Sequence, residues 1–239
     1  MNNGRNRLKN FIFPPRCAVC GALLTMKRWD GFLCETCEAD IPFIPKEKCP
    51  HCGGKTDTAG FCDFCRKPYA FAYACAAFPY ETVRKSIHLF KYDGGKQLGE
   101  GLGRLMAEYL LLHHEELLVK TDMILAVPLH PKKEKRRGFN QTQLLCREIS
   151  EKTGLVFQET GLCRKKDTAA QSTLTAEERK RNLKGVFEAT ADVTGKTILL
   201  VDDIFTTGST CNECAKALYR AGVREVNVFC LAAAGFQSD

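Results

Sequence analysis

Two adjacent carboxylates, Asp202 and Asp203, follow an apolar run, and a string of small hydroxyl residues comes shortly after them. The run 197–201 predicts a buried strand, which would deliver both acids to its carboxyl end, where open α/β sheets bind ligands. Gly208 lets backbone N–H groups of the string close on an anion at the start of the next helix. These features predict a sugar-phosphate site, in which the loop holds the phosphate and the acids hold hydroxyls, directly or through Mg²⁺. The string is Thr206, Thr207, Gly208, Ser209 and Thr210.

The plain alternative for this string is a polar strand-to-helix connection whose Ser or Thr caps the helix 209–220. A cap needs one hydroxyl residue rather than four, which favours the phosphate site. Cys211 and Cys214 lie on an apolar face of the same helix. We therefore expect these two cysteines to pack in the core rather than bind a metal or act as a redox pair.

A run of basic residues, 130–141, follows a second apolar segment and is predicted to be a loop. Such a run is usually a solvated surface segment. Because it follows a strand, we expect it at the same edge of the sheet as the two acids, where Arg and Lys could hold a pyrophosphate. The polar segment 164–182 is long and poorly periodic, so we expect a mobile loop that closes over the site as a lid. The candidate pyrophosphate and lid residues are His130, Lys132, Arg136, Arg137, Arg164 and Gln171.

Four Cys-x-x-Cys pairs precede residue 66. Two such pairs supply a tetrahedron of thiolates, and closed sites of this kind hold structural zinc. We expect two zinc sites with sequential pairing; interleaved pairing stays open, and free or redox-active thiols are the alternative. The module either binds nucleic acid or protein, or simply folds a segment too small to fold alone. The eight ligands are Cys17, Cys20, Cys34, Cys37, Cys49, Cys52, Cys62 and Cys65.

Four aromatic side chains lie among these cysteine pairs and could stack on the bases of a nucleic acid. Small zinc modules commonly use such residues as their own core, so we expect packing rather than base stacking. The four are Trp29, Phe32, Phe61 and Phe64.

From about residue 69 the chain alternates apolar runs with helical patterns. Strands that alternate with helices imply right-handed crossovers and a mostly parallel sheet. We therefore expect an α/β domain over 69–239 behind a small zinc module over 1–68. The expected strands are 73–78, 123–127, 155–162, 197–201 and 225–232. The expected helices are 81–92, 97–118, 141–152 and 209–220.

The composition is that of an ordinary soluble protein, with 239 residues of which 44% are hydrophobic and 26% charged. No apolar run reaches membrane-spanning length, and the first residues lack a signal-peptide core, so we expect a cytoplasmic protein without membrane insertion. The formal net charge is +7, and two zinc tetrathiolates, each carrying −2, reduce it to +3. So weak a global charge indicates little about partners.

The string 201–210 resembles the signature with which type I phosphoribosyltransferases bind phosphoribosyl pyrophosphate (PRPP). More of the chain resembles the ComF family of bacterial competence proteins. The likeness is carried by Val-Pro-Leu-His-Pro at 127–131 and Arg-Gly-Phe-Asn-Gln at 137–141. Arg164 with Gln171 and Arg179 with Asn182-Leu183 add to it. The cysteine pairs are similar to the double zinc ribbon of the family's longer members, so the resemblance covers almost the whole chain.

This resemblance implies a sheet of the type I phosphoribosyltransferase, Rossmann-like kind, with the residues named above binding PRPP and Mg²⁺ and with Asp202 and Asp203 as catalytic residues. It also implies a role in natural transformation, in which the protein handles incoming single-stranded DNA in the cytoplasm beside a helicase-like partner. One alternative is an active phosphoribosyltransferase that uses an unidentified base or amine as acceptor. Another is a regulator that senses PRPP and signals to a protein partner through the zinc ribbons.

Overall fold

The core of the protein is a four-stranded parallel sheet, seen in a computed structural model that describes residues 14–29, 31–49, 62, 69–92, 96–165 and 185–235. Its strands are β1 (Tyr73–Pro79), β2 (Met123–Ala126), β5 (Thr197–Phe205) and β6 (Glu225–Ala233). Their spatial order is β1-β6-β5-β2, and every neighbouring pair is parallel. A smaller antiparallel sheet pairs β3 (Leu162–Arg164) with β4 (Phe187–Ala189).

Strands β5 and β6 occupy the centre of the parallel sheet, and their long apolar runs are buried as a central strand requires. Val201 of β5 lies opposite Ala126 of β2 and Phe229 of β6. The N–H of Val127 then donates to the carbonyl of Val201 at 2.9 Å. The carboxyl ends of the neighbouring strands therefore meet at one edge, hereafter the carboxyl edge.

Seven α-helices lie in the part of the chain that the structure describes, and none is long and apolar enough to cross a lipid bilayer. The helix predicted over 209–220 is confirmed in its bounds, and Cys211 and Cys214 are buried in the core as expected. The helices are α1 (Glu35–Ala39), α2 (Tyr80–Tyr92), α3 (Lys96–His113), α4 (Glu115–Lys120), α5 (Pro131–Arg137), α6 (Gln141–Thr153) and α7 (Ser209–Arg220).

The helix predicted over 97–118 is two helices, α3 and α4, because the chain leaves the helical conformation at His114 (φ −140°, ψ 40°). The imidazole of His114 is buried, with Nδ1 3.3 Å from the hydroxyl of Tyr73. Leu117 beyond the break is buried as well, so the helical spacing of apolar residues continues across it. The apolar pattern therefore concealed the break.

The strand predicted over 155–162 is wrong for most of its length. Phe157 forms one parallel bridge with Ile124 at the outer edge of β2, and a turn follows at 159–160. A Cβ at Gly161 would collide with the side chain of Leu125, so the chain crosses β2 closely at this glycine. It then enters β3, which pairs with β4, a strand that the sequence did not predict.

The basic run that was predicted to be a loop contains the short helix α5. His130 caps it, since its Nδ1 accepts the N–H of Lys132 at 3.2 Å, and Pro131 occupies the first turn. Gly138 ends it in the left-handed conformation (φ 79°), a common helix C-cap. The signals that bound a helix were present in the sequence, but the high charge of the run favoured a loop.

The first cysteine-bearing hairpin packs on α2 and α3. The hydroxyl of Ser86 in α2 donates to the carbonyls of Cys17 and Val19 at 3.3 and 2.9 Å. A Cβ at Gly101 in α3 would lie 2.8 Å from Cβ of Phe32. Trp29 and Phe32 pack against the same core as the sheet, which confirms packing for these two aromatics; Phe61 and Phe64 lie outside the described residues.

Candidate functional site

Asp202 and Asp203 lie within the last paired part of β5, near the carboxyl edge; β5 continues to Phe205, four residues beyond the strand predicted over 197–201. The N–H of Asp203 donates to Oδ1 of Asp202 at 2.8 Å, and Sγ of Cys211 lies 3.7 Å from Oδ2. Cys211 belongs to the first turn of α7, so its thiol connects the strand end to the helix start. Oδ2 of Asp203 accepts a hydrogen bond from Nζ of Lys91 at 2.6 Å.

The pKa of Asp202 is raised from 3.8 to about 7. Burial is the main cause, because it disfavours the ionised form, and the neighbouring charge of Asp203 acts in the same direction. The hydrogen bond from the N–H of Asp203 and the charge of Lys91 oppose the rise. A carboxyl group that titrates near neutral pH is typical of functional sites, where it exchanges a proton or hydrogen-bonds a hydroxyl.

The predicted phosphate loop is a tight turn at the N-terminus of α7. Gly208 has φ 69°, and a Cβ there would lie 2.8 Å from the ring of Phe205 and 2.9 Å from that of Tyr69. The hydroxyl of Tyr69 donates to the carbonyl of Thr207 at 3.1 Å. Oγ1 of Thr207 and Oγ of Ser209 are 2.8 Å apart. The loop is therefore held before any anion arrives, with first-turn N–H groups available for a phosphate.

The remaining members of the string lie in the same turn. Thr206 is exposed just beyond β5, and Thr210 lies half-buried in the first turn of α7. The structure thus brings all five loop residues and both carboxylates to the carboxyl edge.

The basic helix α5 starts at this edge, because it follows β2 by four residues. His130 is buried at its start, Lys132 and Arg136 are exposed, and Arg137 is half-buried. The ring of Phe139, just after α5, lies 6.0 Å from the ring of Phe90 in α2. The far end of α5 therefore approaches the end of α2, the element that carries Lys91.

Lys91 is a site residue that the sequence analysis missed. Its side chain is 18% exposed and contacts Asp203, while α2 begins directly after β1 at the same edge. Both ends of α2 thus lie on the carboxyl side of the sheet. A helix after a strand is expected to run back along the sheet and to end far from this edge. Only the single Lys in the last turn, beside Asp93-Gly94-Gly95, could have indicated the contact.

The predicted lid residues are only partly described. Arg164 ends β3, with its guanidinium carbon 5.8 Å from the centre of the Phe187 ring in β4. The small β3–β4 sheet packs on α7. Gln171 lies outside the described residues, as does most of the predicted lid loop, 166–184.

The first four cysteines form a cluster that fits a zinc ion. The Sγ atoms of Cys17, Cys20, Cys34 and Cys37 all lie within 4.8 Å of one another. A tetrahedron with Zn–S bonds of about 2.3 Å has S–S edges of about 3.8 Å, and the Cys20–Cys34 separation is 3.8 Å. A backbone hydrogen bond at Cys37 lowers the pKa of the Cys34 thiol to about 7, whereas burial raises the pKa values of the Cys20 and Cys37 thiols.

This cluster groups the four cysteines that sequential pairing assigns to the first site. Cys49 is buried and Cys62 half-buried, whereas Cys52 and Cys65 lie outside the described residues. The second zinc site therefore stays a prediction.

Comparison with known proteins finds a matching family model for each of the two expected parts of the chain. Residues 8–66 match the family model of the double zinc ribbon domain, and residues 136–237 match that of the phosphoribosyl transferase domain. The DNA utilization protein YhgH of Escherichia coli K12 is 33% identical over 91% of this chain and 96% of its own length. Competence protein F of Haemophilus influenzae is 31% identical over 95% of this chain and 100% of its own length. The chain belongs to the ComF family.

A third relative of this ComF protein is competence protein ComFC of Streptococcus pneumoniae, 29% identical over 90% of this chain and 99% of its own length. The expected fold class is confirmed: a parallel α/β sheet of phosphoribosyltransferase type follows a double zinc ribbon. The protein is thus a phosphoribosyltransferase-like member of a competence-related family.

Proposed function

We propose that this ComF protein binds PRPP with Mg²⁺ at the carboxyl edge. One observation carries the proposal: the structure joins a preformed anion loop at a helix N-terminus to two carboxylates and a basic helix. A sugar carrying a monophosphate and a pyrophosphate presents the three matching groups.

Each part of the site has a role in this proposal. The N–H groups and hydroxyls of the loop 206–210 bind the 5′-phosphate, helped by the dipole of α7. The carboxylates of Asp202 and Asp203 accept hydrogen bonds from the ribose hydroxyls. The basic side chains of α5 face the pyrophosphate, and Arg164 with Gln171 would close over it.

The residues at the edge also fit Mg²⁺. Mg²⁺ is usually held through one or two carboxylates together with substrate oxygens. The side chain of Asp203 is 20% exposed, so its carboxylate is reachable from the edge. When bound with PRPP, the ion would neutralise part of the pyrophosphate charge.

Calorimetric titration of PRPP with Mg²⁺ tests the proposal. The wild type should bind, and the double variant Asp202→Asn, Asp203→Asn should lose at least ten-fold in affinity. Asp192→Asn removes a carboxylate that is exposed elsewhere on the surface, and it should bind as the wild type does. A folded, zinc-loaded wild type that binds no PRPP would refute the proposal.

We further propose that the protein handles incoming single-stranded DNA in the cytoplasm, beside a helicase-like partner. The names of the relatives, which refer to DNA utilization and competence, support this role. Helix α5 supports it physically, since its seven residues carry five basic side chains and one acidic one. Phosphate backbones bind such surfaces by releasing counterions.

The salt dependence of single-strand binding tests this role. Replacing Lys132, Lys135 and Arg136 by Gln should weaken binding and reduce the log–log salt slope by about 2, at about 0.7 per phosphate contact. The matched control replaces Lys120, Lys152 and Arg220 by Gln. These three residues are exposed at the ends of helices on the side of the sheet opposite the carboxyl edge. Equal losses in both triple variants would contradict a defined DNA surface at α5.

Turnover of PRPP is the second candidate function, and the pKa of Asp202 favours it. A carboxyl group that titrates near 7 can take a proton from an acceptor as that acceptor displaces pyrophosphate from C1 of the ribose. Pyrophosphate release that requires an added base or amine, and that is lost in Asp202→Asn, would establish it. If no pyrophosphate is released with any of a broad panel of acceptors, the protein binds PRPP without catalysing its turnover.

A further inference from the structure

Asp203 and Lys91 form an ion pair in the middle of the proposed PRPP site. Nζ of Lys91 lies 2.6 Å from Oδ2 of Asp203, and the two side chains are only 18% and 20% exposed. A pair so shielded from water interacts more strongly than a surface pair. The ammonium group of Lys91 therefore occupies an oxygen that Mg²⁺ or a ribose hydroxyl would need.

The neighbouring carboxylate is engaged as well. Oδ1 of Asp202 accepts the N–H of Asp203, and Oδ2 lies within reach of the thiol of Cys211. Lys91 thus places one positive charge beside two adjacent carboxyl groups near the end of β5. Two such acids without a cation would repel one another and attract a metal ion.

We propose that Lys91 is a resident counter-ion that keeps a free divalent cation off Asp203, so that the metal enters the site only together with PRPP. The inference rests on the proposed function, because it specifies how the same site admits its ligand. In the ligand-free protein Lys91 acts through the carboxylate of Asp203.

The chemistry of lysine suits such an exchange. Its ammonium is a compact charge on a flexible four-carbon stem, so it can leave Asp203 and move to an incoming phosphate oxygen. Lys91 lies in the last turn of α2, close to where α5 ends beside Phe90. With PRPP bound, Asp203 would be free to hold the metal that accompanies PRPP, and the ammonium of Lys91 would pair with a phosphate oxygen.

The test measures binding of Mn²⁺ alone to the zinc-loaded protein, by the electron paramagnetic resonance signal of free Mn²⁺. Wild type and Lys91→Arg should bind Mn²⁺ weakly without PRPP, whereas Lys91→Gln should bind it at least ten-fold more tightly. Arg84→Gln is the matched control, because it removes one positive charge from the exposed face of the same helix, and it should behave as the wild type. The double variant Lys91→Gln, Asp203→Asn should lose the added Mn²⁺ binding.

PRPP titrations on the same proteins separate this inference from the proposed function. Lys91→Gln should bind PRPP with Mg²⁺ at least ten-fold more weakly than the wild type, and Lys91→Arg should restore most of the affinity. Mn²⁺ binding that is equal in wild type and Lys91→Gln, whether tight or undetectable, would overturn the counter-ion role even if PRPP binds. PRPP that fails to bind the wild type would overturn the proposed function instead, whatever the Mn²⁺ result.

Discussion

Asp202 is held at the end of β5 in a state that disfavours its charge, half-buried and beside Asp203. In an unfolded chain its carboxyl group would titrate near 3.8, whereas in the folded protein its pKa is about 7. The folded form therefore binds a proton more tightly, so that folding stability falls as pH rises between these values. Because ionisation of Asp202 costs folding stability, selection for stability alone would favour a side chain that cannot ionise at this position.

Asp202→Asn should therefore stabilise the ligand-free protein more at pH 8 than at pH 5, because the cost of ionising Asp202 in the folded protein grows between pH 3.8 and about pH 7. The gain at pH 8 should exceed the gain at pH 5 by about 2–3 kcal/mol, and each kcal/mol corresponds to roughly 2–4 °C in Tm for a chain of this size. Thermal unfolding at the two pH values measures it. Asp192→Asn is the control, because hydrogen bonds with Thr194 lower the pKa of Asp192 and the variant should gain nothing at pH 8. A gain that is equal at pH 5 and pH 8 would contradict the explanation.

Gly208→Ala should lose PRPP binding and destabilise the fold. Its positive φ costs an alanine about 1–2 kcal/mol, and the added Cβ would also collide with Phe205 and Tyr69. Gly185 has nearly the same φ, 68°, and a Cβ there would meet nothing within 4 Å, so Gly185→Ala isolates the backbone cost. Urea unfolding and PRPP titration compare the two variants. Equal destabilisation of the two variants would mean that the contact of Phe205 and Tyr69 with Gly208 does not contribute to stability.

At the scale of elements, β5, the loop and α7 could be predicted from the sequence because each has an unambiguous local signal. A continuous apolar run forms the central strand, and a glycine precedes the helix. The contact between Lys91 and Asp203 could not be predicted, because it depends on the direction of α2 across the sheet edge. No local pattern encodes that direction. The roles of the individual site residues stay predictions until ligand binding is measured.

Helix α3 and the first zinc hairpin approach closely through a glycine in the middle of the helix. Gly101 faces Phe32 and Ala18, whose Cβ atoms would lie 2.8 and 3.0 Å from a Cβ at position 101. The helix gives up about 1 kcal/mol of propensity at each such glycine relative to alanine. The glycine therefore indicates a tightly packed contact between α3 and the hairpin, hereafter the joint, rather than a flexible connection.

Gly101→Ala should loosen this joint and accelerate the loss of zinc from the Cys17–Cys37 cluster. Overpacking of this kind typically costs about 1–3 kcal/mol, which exceeds the propensity gain. Zinc release to a coloured chelator, followed over time, is the measurement. Gly31→Ala lies in the same hairpin with its closest contact at an ordinary 3.5 Å, so it should release zinc at the wild-type rate. Identical rates for both variants would show that the joint does not support the zinc site.

At the scale of the whole molecule, acid sensitivity depends on His114, which is buried between α3 and α4 and contacts Tyr73 of β1. The pKa of His114 is lowered from 6.5 to about 4, mainly by burial, with Lys46 and His113 acting in the same direction and Glu116 opposing. The unfolded chain takes up the proton first on acidification. Stability is therefore present above about pH 6.5 and is lost as pH falls towards 4.

Between pH 7 and pH 5 this residue alone should cost about 2 kcal/mol of folding stability. His114→Gln should flatten that part of the pH profile, whatever its stability at pH 7. The measurement is urea unfolding at half-unit steps of pH. His88→Gln replaces an exposed histidine and should leave the slope unchanged. A slope that His114→Gln does not alter would assign the acid sensitivity to other groups.

The expected division into 1–68 and 69–239 stays a prediction, and the contacts of the linking segment bear on it. The N–H of Ile44 donates to the carbonyl of Ala77 in β1 at 2.8 Å, and the carbonyl of Ile44 accepts the hydroxyl of Tyr109 at 3.0 Å. Ile44 is itself buried. The segment that follows the first cysteine cluster is thus hydrogen-bonded to the outermost strand of the sheet.

That attachment predicts a protective role for the zinc module that does not depend on ligand binding. Strand β1 is apolar and lies at the margin of the sheet, the arrangement through which proteins pair edge to edge and aggregate. A chain beginning at residue 69 should therefore self-associate, which sedimentation velocity would reveal as a rise in mass with concentration. If that chain instead stayed monomeric, β1 would need no cover. If it associates, the segment around Ile44 prevents the sheet from pairing with a second copy through β1.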